Sequence, residues 1–129
     1  MITGIGIDII EIERIQKELS ASEDTFCNKI FTKNEISYCR KAASKNVQSQ
    51  RYAARFAAKE AFFKALGTGL RDGLHWKDVE TCHDDQGKPH LELKNKALDI
   101  IRREKISNIL LSISHSKNNA VAVVILEKT

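Results

Sequence analysis

Two acidic side chains stand in sequence surroundings that favour cation binding. Asp8 closes a strand-like segment, on the face that carries its glycines, and Glu60 lies in the middle of a mostly apolar stretch, 53–66. If the two carboxylates converge, they form an oxygen-only ligand set of the kind that Mg²⁺ takes, with water and phosphate oxygens completing the octahedron. The alternatives are that Glu60 only pairs with Lys64 one turn later and that Asp8 only forms a turn at the strand end.

Three basic residues near Glu60 are suited to an anionic ligand. Lys64 follows Glu60 by one helical turn and presents a point cation that can neutralise the charge of a phosphate. Arg55 and Lys59 stand four residues apart and form a second basic pair for another anionic group. We therefore expect an anion at this helix, with a merely solvated basic flank as the alternative.

A serine and histidine cluster at 112–116 raises the question of nucleophilic catalysis. It lacks a Gly-x-Ser-x-Gly elbow, and neighbours in a strand point to opposite faces, so a catalytic triad is not predicted. We interpret His115 as a phosphate donor or a proton-transfer group, with a structural histidine as the alternative. His75, His83 and His90 lack ligand spacing and receive no role.

Composition restricts the class of protein. The 129 residues suffice for one domain with a sizeable core, and 42% hydrophobic with 29% charged residues is an ordinary globular balance. The net charge of +4 predicts an anionic partner. Apolar runs fall short of the roughly 18 residues that a transmembrane helix needs. Asp8 and Glu11 interrupt any signal-peptide pattern, so we expect a cytoplasmic protein.

Two further kinds of site are not indicated by the sequence. Cys27, Cys39 and Cys82 are widely spaced without a Cys-x-x-Cys motif, which suggests neither a disulfide framework nor a zinc site. We therefore expect reduced thiols. The segment 67–69 is not a phosphate-binding P-loop, because no Gly-Lys-Ser/Thr follows it.

Local patterns predict an α+β fold with five strands. The stretch 53–66 has no glycine, proline or β-branched residue, which favours helix, and its apolar surface predicts burial. Periodicity and turn signals predict strands at 2–9, 76–82, 90–93, 109–115 and 120–126, and helices at 11–19, after Ser22, from the Thr32 capping box to about Lys41, and at 95–104. The polar stretch 43–50 is interpreted as a loop or weak helix. We expect one α+β domain over 1–129, with a mostly antiparallel sheet packed against a long buried helix.

Three segments, taken together, resemble a known family. In order, they are 4–9 followed by Arg14, 55–61 followed by Lys64, and 112–116. Their order and approximate spacing are similar to those of holo-[acyl-carrier-protein] synthase, the short, single-domain type of 4′-phosphopantetheinyl transferase. The resemblance runs from Met1 to about Leu126, and the segment 55–61 with Lys64 is its most specific part.

The resemblance implies an activity, an assembly and partners. Coenzyme A would donate its phosphopantetheine arm to a serine of apo acyl carrier protein, with Mg²⁺ bound and adenosine 3′,5′-bisphosphate released. This reaction supports fatty acid biosynthesis. Members of this type are homotrimers whose active sites lie between neighbouring subunits.

The resemblance also implies roles for the acidic site. By motif position, Asp8 and Glu60 would bind Mg²⁺, and Lys64 would contact the diphosphate. Lys64 would then stabilise the leaving bisphosphate, and the serine proton would go to Glu60 or to a metal-bound water. Arg14 would face the acidic carrier protein.

A second group of residues is assigned to the nucleotide under the same resemblance. Arg55, Lys59 and His115 would hold the nucleotide phosphates, including the 3′-phosphate. Lys88 and Pro89, in the turn between two predicted strands, would border the adenine.

Two other functions are weighed against this one. A small basic nucleic-acid-binding module is disfavoured, because the basic residues are scattered among acids without an aromatic–basic stripe. A coenzyme-A-binding protein that has lost transfer activity is the second alternative. We expect neither a nucleic acid nor a membrane as a partner.

Overall fold

The computed structural model describes residues 1–71 and 73–129. Within these residues the elements follow in the order β1 (Ile2–Glu11), α1 (Ile12–Ile30), α2 (Lys33–Arg40), α3 (Lys45–Leu66), a short 3₁₀ helix (Trp76–Asp78), β2 (Val79–His83), β3 (Pro89–Leu93), α4 (Asn95–Arg103), β4 (Asn108–His115) and β5 (Asn119–Glu127). In the described ranges, no helix combines the length and the apolar character needed to cross a bilayer.

The five strands form two antiparallel sheets rather than one. β1, β5 and β4 lie side by side in that order, and β2 pairs with β3 as a separate hairpin. In the larger sheet, successive side chains alternate between a face that packs on α3 and an outer face. The predicted α+β class, with antiparallel strands against a long buried helix, is confirmed. The division into two sheets is a difference from the single sheet that we expected.

The predicted break near Ser22 is present inside one continuous helical element. α1 spans Ile12–Ile30, and Ser22 has non-helical torsions, with φ −165° and ψ 87°. The capping box predicted at Thr32 is also present, because its side chain accepts a hydrogen bond from the backbone of Glu35 while the Glu35 carboxylate accepts from the Thr32 backbone.

The long helix α3 begins earlier than predicted. Ser44 caps its N-terminus by accepting a hydrogen bond from the backbone N–H of Val47 at 3.1 Å. The interpretation of 43–50 as a loop or weak helix is therefore wrong from Lys45 onward. The stretch lacks an apolar stripe, but one serine cap and eleven buried residues further along the same helix are enough to extend it. α3 ends where expected, at Gly67 in the left-handed conformation, φ 79°.

Two glycines of β1 allow α3 to lie directly on the strand. A Cβ atom on Gly4 would meet the backbone oxygen of Ala65, and one on Gly6 would meet that of Ala61, both closer than the 3.0 Å that real Cβ atoms keep. The alanine face of α3 matches this surface, and Ala61 is fully buried. The glycine face predicted beside Asp8 therefore accommodates a neighbouring backbone.

Substituting Gly6 by Ala is expected to destabilise the protein by about 3 kcal/mol or more. Overpacking usually costs about 1–3 kcal/mol, and here the opposing atom is backbone, which cannot rotate away. Urea denaturation measures the change in the free energy of unfolding. Thr3→Ser, at an exposed position of the same strand, serves as the control, because it keeps the hydroxyl that donates to the Leu126 carbonyl oxygen; it is expected to change that free energy by about 0.5 kcal/mol at most. Equal stabilities of the two variants would contradict the close packing.

Candidate active site

Asp8 and Lys64 meet at the edge of the contact between β1 and α3. The Lys64 ammonium donates to Asp8 Oδ1 at 3.2 Å and to the carbonyl oxygen of Ile7 at 3.0 Å. The Asp8 side chain is 15% exposed and that of Lys64 is 55% exposed. One side of this pair is therefore open to a ligand.

Glu60 belongs to the same cluster. Burial raises the pKa of the Glu60 carboxyl, the negative charge of Asp8 raises it further, and the cations of Lys64 and Arg14 act against both. The charges of Asp8 and Glu60 therefore interact, with the two groups contributed by β1 and α3. Among the residues that the structure describes, the Glu60 carboxylate has no ion pair within 4.0 Å, so the alternative of a simple Glu60–Lys64 pair is not observed.

This arrangement fits a divalent cation. Asp8 and Glu60 offer carboxylate oxygens only, from two different elements, and their mutual repulsion is the feature that a shared cation would relieve. Mg²⁺ requires hard oxygen ligands and keeps several exchangeable positions for water or phosphate. Lys64 supplies a second cation beside the same carboxylate.

Asp8→Asn is expected to lower the pKa of Glu60, because it removes the negative charge that opposes ionisation of that carboxyl group. Lys64→Met is expected to raise it. Carbon-detected NMR titration of the glutamate carboxyl resonances measures both shifts. Asp24→Asn, at a side chain that is 87% exposed, is the matched control and should leave the pKa of Glu60 unchanged. An unchanged value in Asp8→Asn would mean that the two carboxylates are too far apart to share an ion.

A second polar site lies on the other flank of α3. A cavity of about 390 Å³ is bordered by residues from α2, α3, the β2–β3 hairpin and strand β4, among them Tyr38, Arg51, Arg55, His83, Pro89 and His115. Of the residues predicted to bind the nucleotide, this cavity brings Arg55, Pro89 and His115 together. Lys88 lies in the neighbouring turn, where its backbone N–H donates to the Asp84 carboxylate at 2.9 Å.

The cavity wall is cationic and aromatic. The guanidinium groups of Arg51 and Arg55 lie over the Tyr38 ring, 4.4 and 4.1 Å from its centroid. Arg55 is 4% exposed, and its Nε has no hydrogen-bond partner in the described part of the chain. Burial, followed by the charge of Arg55, lowers the pKa of His83. Such fixed guanidinium groups beside an aromatic ring suit a phosphate attached to a flat ring system.

Sequence reasoning missed Tyr38, Arg51 and His83. Arg51 stands one turn before Arg55, but this spacing is visible only once α3 is known to start at Lys45. His83 pairs opposite Pro89 across the hairpin, and the sequence gives no spacing signal for that relation.

The predicted role of Lys59 is contradicted by its position. Lys59 is fully buried, and its ammonium lies 2.8 Å from Glu35 Oε1. It also donates to the backbone oxygens of Trp76, at 3.0 Å, and Val79. All three of its hydrogens are therefore used inside the protein, and Lys59 is a structural residue rather than a phosphate ligand.

The Lys59–Glu35 pair joins three elements. Glu35, in α2, also accepts from the backbone N–H of Thr81 in β2 at 3.0 Å. Burial lowers the pKa of Lys59, and the nearby Glu35 charge opposes that effect. The pair thereby fixes the β2–β3 hairpin, which carries His83 and Pro89, relative to α3.

Lys59→Met is expected to destabilise the protein by about 3–5 kcal/mol, because it leaves the buried Glu35 carboxylate without its cation. Urea denaturation measures the loss. Lys17→Met is the control, since Lys17 forms an exposed i,i+4 pair with Glu13, and its expected effect is about 0.5 kcal/mol or less. A stable Lys59→Met variant with weakened coenzyme A binding would restore the original assignment.

Sequence comparisons identify relatives along almost the whole chain. The profile of the 4′-phosphopantetheinyl transferase superfamily matches residues 4–124. The holo-[acyl-carrier-protein] synthase of Geobacter sp. (strain M21) is 49% identical over 128 residues, which cover 99% of this chain and 100% of that protein. The synthase of Alkaliphilus oremlandii (strain OhILAs) is 50% identical over 125 residues, covering 97% and 98%.

Solved structures agree with the sequence relatives. A holo-[acyl-carrier-protein] synthase from Bacillus anthracis str. Ames, in complex with CoA (3′,5′-ADP), superposes with a TM-score of 0.81 at 42% identity, covering 100% of this chain and 99% of that one. The Helicobacter pylori synthase in complex with coenzyme A gives a TM-score of 0.82 at 31% identity, covering 95% and 99%. The chain therefore belongs to the 4′-phosphopantetheinyl transferase superfamily. It is an enzyme of the holo-[acyl-carrier-protein] synthase type, as the sequence resemblance predicts.

Proposed function

We propose that residues 1–129 act as one domain that transfers 4′-phosphopantetheine from coenzyme A to a serine hydroxyl of apo acyl carrier protein. The reaction depends on Mg²⁺, releases adenosine 3′,5′-bisphosphate and serves fatty acid biosynthesis in the cytoplasm. The observation that carries the proposal is the convergence of Asp8, Glu60 and Lys64 on one open site.

Phosphoryl transfer depends on positioning and charge neutralisation more than on covalent help from the protein. Mg²⁺ held by Asp8 and Glu60 would neutralise the diphosphate of coenzyme A and polarise the phosphorus that carries the pantetheine arm. The serine oxygen forms a bond to that phosphorus as the bond to the bridging diphosphate oxygen breaks. Lys64 stabilises the charge that develops on the leaving bisphosphate.

Glu60 is the proposed acceptor of the serine proton. Its carboxylate would lie beside the reacting diphosphate and take the proton directly or through a metal-bound water. Arg14 contributes a further cation near Glu60, on the side where the acidic carrier protein would approach. Opposite charges of this kind increase the rate of encounter at low ionic strength.

The cavity beside Tyr38 is the proposed nucleotide site. Arg55 and His115 would contact the phosphates, and the Lys88–Pro89 turn would border the adenine. The synthases of Bacillus anthracis and Helicobacter pylori were solved in complex with coenzyme A, which supports a site of this chemistry.

We further propose a homotrimer with active sites between subunits. The outer face of the larger sheet carries Ile5, Ile7 and Ile9, which are 65, 58 and 66% exposed, and Leu110, two strands away from Ile5, at 49%. An apolar face of this kind is typical of a surface that another copy covers. Arg55 and Glu60 lie about 140° apart around the axis of α3, so they face different sides of the helix. This supports a site in which the acidic half (Asp8, Glu60 and Lys64) comes from one subunit and the nucleotide half (Arg55 and His115) comes from another.

Glu60→Gln is expected to reduce turnover by about two orders of magnitude, because electrostatic stabilisation of the transition state is lost. Incubation with coenzyme A, Mg²⁺ and apo acyl carrier protein, followed by mass spectrometry of the carrier, detects the added phosphopantetheine. Asp24→Asn, exposed on α1, is the control for a lost surface charge and should retain normal turnover. Near-normal turnover in Glu60→Gln would remove that residue from the mechanism.

The same assay separates the alternatives. Coenzyme A binding by the unmodified chain without any mass gain on the carrier would favour a binding protein without transferase activity. Neither coenzyme A binding nor mass gain would reject the proposed function as a whole.

Co-expression of Glu60→Gln and His115→Ala chains is expected to restore activity that each variant lacks alone. In a mixed assembly, about a quarter of the sites would combine an intact acidic half with an intact nucleotide half from a neighbour. The measurement is the specific activity of the purified mixed assembly relative to each homomeric variant. No recovery would mean that both halves of a site come from the same chain.

A further inference from the structure

Three potential metal ligands converge on the β2–β3 hairpin, outside the acidic site. One ligand atom each from Cys82, His90 and Glu92 lie within 4.8 Å of one another. His90 Nε2 and Glu92 Oε1 are 3.5 Å apart. The Cys82 side chain is half-buried, and those of His90 and Glu92 are 44 and 57% exposed, so the cluster is accessible from solvent.

The strand register explains why these side chains meet. Cys82 lies directly opposite His90 across the hairpin, and residues that face each other in an antiparallel pair project from the same side. Glu92 follows His90 by two positions and therefore shares that side. This arrangement needs no irregular loop, because a regular ladder presents all three groups.

A fourth group, the carboxylate of Glu80, borders the cluster from the interior. Glu80 lies opposite Glu92, is 2% exposed, and accepts a hydrogen bond from the Cys82 thiol at 3.3 Å. Its other carboxylate oxygen accepts from the hydroxyl of Thr32. Like charges at directly opposed strand positions are unfavourable, so the Glu80–Glu92 pair is a position where a cation would be stabilising.

The chemical nature of the Cys82, His90 and Glu92 side chains indicates which metal ion they would bind. A thiolate and an imidazole are ligands for Zn²⁺, whereas Mg²⁺ takes hard oxygen ligands. Zinc accepts one sulfur, one nitrogen and one carboxylate oxygen in a tetrahedral site and leaves a fourth position for water. The Asp8–Glu60 site offers oxygen ligands only, so the two sites differ in the cation they favour.

We propose that Cys82, His90 and Glu92 form a Zn²⁺-binding site on the β2–β3 hairpin. On binding, the Cys82 sulfur forms a bond to zinc and its proton is released to solvent. Glu80 lies beside the sulfur in the second coordination sphere, where its negative charge adds to the attraction for the cation. The ligands Cys82 and His90 directly adjoin His83 and Pro89 of the cavity, so bound zinc holds together the two strands that border it.

The test uses the full-length protein with Co²⁺ and Zn²⁺ as probes, in excess Mg²⁺ to fill the oxygen-only site. Wild-type protein is expected to bind one Co²⁺ per chain with a thiolate-to-cobalt charge-transfer band, which Zn²⁺ then displaces. Cys82→Ser is expected to lose the band and to bind zinc more than about 100-fold more weakly, since changes in the second sphere alone cost about 10–100-fold. Glu80→Gln is expected to fall within that smaller range.

Matched controls address the other thiols and histidines. Cys27→Ala removes a fully buried thiol outside the cluster, and His75→Gln removes an exposed imidazole outside it. Both are expected to keep the wild-type stoichiometry and the charge-transfer band, whereas His90→Gln should weaken zinc binding as Cys82→Ser does. A band that persists in Cys82→Ser, or a wild-type protein without the band, would overturn the proposal. The readout is independent of transferase activity, so its outcome does not depend on the proposed function.

Discussion

The acidic site depends on direct contact between the backbone of α3 and the glycine face of β1. Gly4 and Gly6 leave no side chain between the strand and the helix. The short separation brings the Lys64 ammonium within hydrogen-bond distance of the Asp8 carboxylate. Any side chain larger than a hydrogen atom at these glycines would move the helix outward, and Lys64 would separate from Asp8 with it.

A buried polar network plays the corresponding part for the cavity beside Tyr38, the proposed nucleotide site. Lys59, Glu35 and the backbone of β2 exchange hydrogen bonds in the core, where an unmatched charge is costly. Apolar contacts tolerate small sliding movements, whereas these bonds require one orientation of the hairpin. The residues of the hairpin that lie near Arg55 are thus held in place by polar contacts to the backbone of β2.

Sequence patterns predicted most of the fold because most elements have local signals. Asp8 and Glu60 were predicted as metal ligands for the same reason, since each has a distinctive segment around it, and that role stays a prediction. Lys59 was misassigned because its spacing from Arg55 does not reveal that α2 and β2 enclose it. The cluster at Cys82 and His90 was missed because its members meet only through hairpin register, which depends on the turn between them.

The single helix α3 carries Glu60 of the proposed metal site and Arg55 of the proposed nucleotide site, and its continuity has a geometric consequence. The 22-residue helix is a rigid rod of about 33 Å, and Arg55 and Glu60 are fixed on it about 7.5 Å apart along its axis. No rotation of a domain and no movement of a loop can change that interval. The helix therefore fixes the distance between Arg55 and Glu60, and adaptation to donors of different length must come from the segments that surround it.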